Sequence, residues 1–178
     1  MSRVRAAALV LALVTTGCQP DDIESAQSRP EAKAIVPEHS LAAFGGTLYG
    51  TDHGEWGGAL MFQDGVGRVR TLLDENVRGI VKTASGEVTV FTGRAHVGKN
   101  RGAIYFDSAR ADRPRIAKLG HLPGQPSRIT RGHDGAINFL VYTHYSSRDE
   151  RPVYQCYALL GDRTVTRSHE CAPPNGVD

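Results

Sequence analysis

Three stretches decide the fold: GTLYGTDHGEWGGALMF at 46–62, EVTVFTGRAHVGKNRGAIYF at 87–106, and AINFLVYTHYSSRDERPVYQCYAL at 136–159. Each reads as an alternating strand, a polar loop holding one histidine, and a second strand that opens on a small residue and continues in aliphatic or aromatic ones. They begin at 46, 87 and 136. Alternation with a period of two marks strands with one face buried. Working outward, further short runs rich in Val, Thr and Ile lie at 67–73, 77–83, 114–119, 127–131 and 163–167. Asp64-Gly65, Ser85-Gly86 and Gly161-Asp162 sit where hairpin turns are needed. No capped amphipathic helix follows residue 38. The chain divides into units at about 39–73, 77–119 and 127–171, each with four short strands.

Four antiparallel strands in roughly 40–45 residues resembles a β-propeller blade. The resemblance is to blades in general, since the WD, kelch and calcium-loop signatures are absent. It implies an all-β domain over 39–171 of about three four-stranded antiparallel repeats. Closed propellers have about 4–8 blades. Three repeats therefore leave an open stack, a ring completed by a second copy of the chain, or strands closed differently as a barrel or sandwich.

The N-terminus has the form of an export signal: Arg3 and Arg5, then an uncharged aliphatic run at 6–14, too short to span a bilayer. Thr15-Thr16-Gly17-Cys18 resembles the lipobox of bacterial lipoproteins, with Thr15 where many members carry Leu. That resemblance implies cleavage after residue 17 and acylation of Cys18, which would anchor the protein to a lipid bilayer. Gln19, where an aspartate would retain a lipoprotein at the inner membrane, points to the outer membrane, facing the periplasm. Residues 18–38 are polar, carry three prolines and read as a tether. Residues 172–178 form a polar tail.

The sequence holds 21 Lys and Arg against 19 Asp and Glu. Arg3 and Arg5 lie in the signal, so the mature chain is near neutral, which argues against nucleic-acid binding. Of three cysteines, lipidation of Cys18 leaves Cys156 and Cys171, an even remainder that reads as a disulfide in an exported protein. They are not directly opposite about the Gly161-Asp162 turn, so a bulge or longer loop is expected to shift the register.

No nucleophile elbow, zinc-protease helix, dithiol motif or phosphate loop is present. Gly65-Val66-Gly67 suits a hairpin turn, not a dinucleotide site. The Arg-rich stretch 110–118 reads as a solvated loop entering an exposed strand, and Asp149-Glu150 as a charged loop tip. The best constellation is His53, His96 and His144, one in each equivalent loop. In a blade arrangement those loops share an end with the connections between repeats, which carry Asp74-Glu75-Asn76 and His121. That end would gather Glu55 together with Asp52, His53, Trp56, His96, His121 and His144, the last six as ligand- or partner-binding candidates. Imidazole suits a metal, a proton or a pH-sensitive contact, and a loop histidine is more often simply solvated. Trp56 is either a core-covering residue or a partner anchor.

The reading that follows is a lipid-anchored envelope binding module for a protein or glycan, with an inhibitor or immunity protein as one version. No cofactor or catalytic residue is assigned, the metal is left open, and a homo-oligomer is allowed. Two alternatives remain: a metal-dependent envelope hydrolase using the histidines with Asp52, Asp74 or Glu75, and a structural subunit of an outer-membrane assembly.

Overall fold

The structure is a computed structural model that describes residues 39–94, 100–107, 114–148, 151–161, 163–169 and 171. The signal, Cys18, the tether, His96, the Arg110 region, Asp149-Glu150 and the tail lie outside the described residues.

Among the described residues, twelve strands form three sheets, one per repeat. The first holds β1 (His39–Ala43), β2 (Gly46–Gly50), β3 (Leu60–Asp64) and β4 (Val69–Leu73). The second holds β5 (Val77–Lys82), β6 (Val88–Arg94), β7 (Arg101–Asp107) and β8 (Ile116–Leu122). The third holds β9 (Gln125–Arg131), β10 (Ile137–Ser146), β11 (Arg151–Leu159) and β12 (Val165–Arg167). Every sheet is an antiparallel meander in which chain neighbours pair and no crossover occurs. None closes into a barrel, so the blade-like division holds and the barrel is set aside.

The sheets stack in chain order. β5 packs on β1 and β2, and β9 packs on β5, β6 and β7. One core lies between the first two sheets, where Leu48, Leu60 and Phe62 meet Val88, Val90, Ala103 and Tyr105. A second lies between the last two, where Phe91 and Ile104 meet Ile137, Phe139 and Val141. The Phe91 and Phe139 rings are tilted at 4.9 Å between centroids. The middle sheet is therefore buried on both faces. This is why β6, VTVFTGR, lacks a polar face of charged residues and uses Thr89 and Thr92 inside.

One five-residue turn recurs at the end of the sheets bearing β3–β4, β5–β6, β9–β10 and β11–β12. The amide of its first residue bonds the carbonyl of its last: Asp64 to Arg68, Thr83 to Glu87, Gly132 to Ala136, Leu160 to Thr164. The fourth residue adopts positive φ, and three times it is glycine: Gly67, Gly86 and Gly135, at 87°, 87° and 84°. L-side chains are disfavoured there because Cβ crowds the backbone. Arg163 occupies that position in the last turn, at φ 68°.

The disulfide joins Cys156 to Cys171, with Cα atoms 5.6 Å apart. The β11–β12 register is regular, Leu159 opposite Val165 through Tyr157 opposite Arg167. Of the two expected devices, the bulge is absent between these strands and the longer loop is present, in the turn closed by the Leu160 amide on the Thr164 carbonyl. The ladder ends where the Ser168 amide bonds the Cys156 carbonyl at 3.0 Å, and the chain beyond it returns Cys171 to Cys156.

Candidate functional site

The antiparallel order puts the β2–β3 loop, the β4–β5 and β8–β9 connections, and the starts of β7 and β11 at one end of the sheets, opposite the recurrent turns. Four of the five described candidates project there from exposed positions, and the fifth, Asp52, is largely covered.

The β2–β3 loop is fixed by hydrogen bonds despite its irregular path. The His53 amide donates to the Gly57 carbonyl at 2.9 Å, and the Trp56 amide donates to the His53 carbonyl at 3.2 Å, closing a single 3-10 turn at Gly54–Trp56. Gly57 then reverses the chain at φ 88°. Buried Asn76 clamps the loop from the β4–β5 connection: its Oδ1 accepts from the His53 amide at 3.4 Å, and its Nδ2 donates to the Gly54 carbonyl. Asp52 accepts from the Gly54 amide at 2.9 Å and ion-pairs with Arg78 of β5. The Asp52 carboxylate is only 8% exposed, so it fastens the loop and presents nothing to a ligand. Trp56 is 91% exposed. Of the two readings of this tryptophan, core cover is overturned: the indole stands in solvent on a braced loop.

Of the three described candidate histidines, His53 sits in its expected loop, and His121 and His144 do not. His53 is exposed in its loop. His121 lies within β8, opposite Ala103, not in the connection after it. His144 lies within β10, which runs to Ser146 because β11 supplies partners up to that point. A bulge between Tyr142 and His144 shifts the register, and the His144 ring contacts Thr143 Oγ1 at 3.1 Å. Among the described residues, no three His, Cys, Asp or Glu side chains come together as a metal-holding group.

Between the first two sheets this end opens into a cleft of about 190 Å³. Its near wall is Asp74–Asn76, and its far wall comes from the ends of β6, β7 and β8, with Arg94, Arg101, Lys118 and His121. Glu75 is anchored at the base: Thr92 Oγ1 donates to it at 2.5 Å and the Tyr105 hydroxyl at 2.7 Å. Burial, reinforced by the Glu75 carboxylate, pushes the Tyr105 phenol well above its ordinary value of 10.0, so it stays a proton donor. Lys118 Nζ lies 5.2 Å from the Tyr105 ring centroid. The sequence had pointed to Asp74, Glu75, Asn76 and His121, but not to Arg94, Arg101 or Lys118. The signal for the arginines was their placement at the two mouths of the β6–β7 hairpin, which becomes informative only with the register.

No protein-family model, no curated protein and no solved structure matches this chain.

Proposed function

We propose that this chain is a binding module of the bacterial envelope, held to a membrane by acylated Cys18, that docks a protein partner on the end of the sheets carrying Trp56. The observation that carries the reading is the 91% exposure of Trp56 on a loop braced by Asn76 and by the Asp52–Arg78 ion pair. Leaving an indole in water forgoes about 1.5–3 kcal/mol of burial, and bracing the loop means little ordering entropy is lost on docking. Tryptophan is among the residues most enriched in interface hot spots. His53 and Glu55, both exposed beside it, supply the polar rim that such an anchor has in a complex.

The hydrolase reading draws less support. Asp52 is committed to Arg78, and both Glu75 oxygens already accept hydroxyl protons, so neither is placed as a free base.

The test is affinity capture from envelope extract with the mature protein and with Trp56→Ala. A stoichiometric protein held by the first and lost by the second, with unchanged thermal melting, supports the reading. Equal capture by both would overturn it.

A further inference from the structure

The ends of β6 and β7 hold two arginines face to face. Arg94 and Arg101 are direct cross-strand partners, the last pair of a ladder that runs from Val88–Asp107. Like charges directly opposite in a sheet repel and lower its stability. Among the described residues, no acid forms an ion pair with either guanidinium. Alternation along β7 puts Arg101 on the same face as Ala103 and Tyr105, and along β6 puts Arg94 on the same face as Thr92 and Val90. That face packs on the first sheet, with Val90, Ala103 and Tyr105 in the core below. The two charges therefore stand at the mouth of the cleft, Arg94 half-buried and Arg101 exposed.

The rest of the cleft carries one further cation, Lys118, against two carboxylates, Asp74 and Glu75. Lys118 and His121 stand on β8 across from Tyr105 and Ala103. Of the two acids, Asp74 is exposed at the rim, and Glu75 has both oxygens turned to Thr92 and Tyr105. Arg94 is held toward the Trp56 loop: a Cβ built on Gly57 would lie 3.5 Å from its Nη2. Two guanidinium forks beside an ammonium group and an imidazole, around a space of about 190 Å³, match a small group bearing several anionic oxygens.

We infer that this cleft is an oxyanion-binding site, in which Arg94 and Arg101 clamp a phosphate or carboxylate group between them, with Lys118 and His121 completing the ring of donors. The inference is independent of the protein-docking reading. An anion bridging the two guanidiniums turns an unfavourable pair into a favourable triad, so its binding energy includes relief of the repulsion.

The experiment uses the mature protein in anion-poor buffer, titrated with inorganic phosphate and with succinate and followed by calorimetry and thermal melting. Saturable one-to-one binding of either probe is expected, and the tighter probe identifies phosphate or carboxylate as the preferred class. Replacing one arginine, in Arg94→Gln or Arg101→Gln, should weaken binding by about tenfold or more, since each charge-assisted contact is lost. Arg68→Gln, at the opposite end, should bind as the unmodified protein does. Without anion, Arg101→Gln should melt at or above the parent, and the probe should raise the parent's melting temperature but not the variant's. Absence of saturable binding by both probes, unchanged binding in the Arg94→Gln, Arg101→Gln double variant, or a marked loss of stability in Arg101→Gln would each overturn the assignment.

Discussion

Arg163 occupies in the last turn of the third sheet the backbone position that Gly86 occupies in the second, and its side chain reaches back to that sheet. Its guanidinium ion-pairs with Glu87, the residue after Gly86, and lies 3.9 Å from the centroid of the Phe106 ring. Positive φ costs a non-glycine residue about 1–2 kcal/mol. A cation over an aromatic face returns about 0.5–1 kcal/mol at an exposed site, and a partly exposed ion pair adds no more than about 1 kcal/mol. Arg163→Gly should therefore change stability by less than about 1 kcal/mol. Arg163→Ala keeps the strain, loses both contacts and should cost about 1–2 kcal/mol. Urea denaturation checks the order, and an alanine variant more stable than the glycine variant would refute this account of the turn.

Asp107 is fully buried at the end of β7, and among the described residues neither carboxylate oxygen makes a well-formed hydrogen bond. Burial raises its pKa above the ordinary 3.8, opposed by the Arg115 backbone and the Arg70 charge. The folded protein thus holds this proton more tightly than the unfolded chain does. The associated stability is complete below the unfolded value and is lost as pH rises through the folded one. Asp107→Asn, which stays neutral, should be more stable than the parent at pH 7 by about 1–3 kcal/mol. The advantage should vanish toward pH 3.5. Melting curves across that range test this, and a pH-independent difference would contradict it.

Tyr105→Phe removes one of the two donors to Glu75 while keeping the ring in the core. Hydrogen bonds to a charged group contribute about 1.5–3 kcal/mol, and a loss of that size is expected. Tyr105→Phe combined with Glu75→Gln should cost less than the sum of the two changes, because they share one contact. Additive costs in a double-mutant cycle would show that the bond contributes nothing.

Reduction of Cys156–Cys171 should lower stability by about 3 kcal/mol, the loop-entropy estimate for a 15-residue separation. β12 pairs only three residues with β11, so its amides should lose hydrogen-exchange protection first. Unchanged melting of Cys156→Ser, Cys171→Ser would show that the bond is thermodynamically idle.

Cys18 should carry lipid. An alkyne fatty acid fed to cells should label the parent and leave Cys18→Ser unlabelled, and equal labelling of both would refute the anchor.

The three-fold division was legible because alternation and turn residues are local signals. Val88 to Thr92 could only be a strand, and Ser85-Gly86 could only be its turn. The Cys156–Cys171 bridge was legible by parity. Strand ends were not, because they depend on partners: His144 reads as a loop residue until β11 is seen to run alongside it. The state of Asp52 was hidden for the same reason, since Arg78 lies 26 positions away in sequence and meets it only when β5 packs beside β2. Arg94 and Arg101 looked like ordinary loop-edge charges, and only the register from Val88–Asp107 upward sets them against each other.

The packing of each sheet chiefly on its chain neighbour has a consequence for how such a chain grows. A meander is complete within about forty residues, and its interface is made with the unit before or after it. Duplicating a terminal unit would leave both existing interfaces intact and ask of the newcomer only one apolar face. Deleting the middle unit would strip two cores at once. Sequence drift should accordingly be slowest in β5–β8 and fastest in the outer units, and length variation among descendants of this chain should come in whole sheets at the ends.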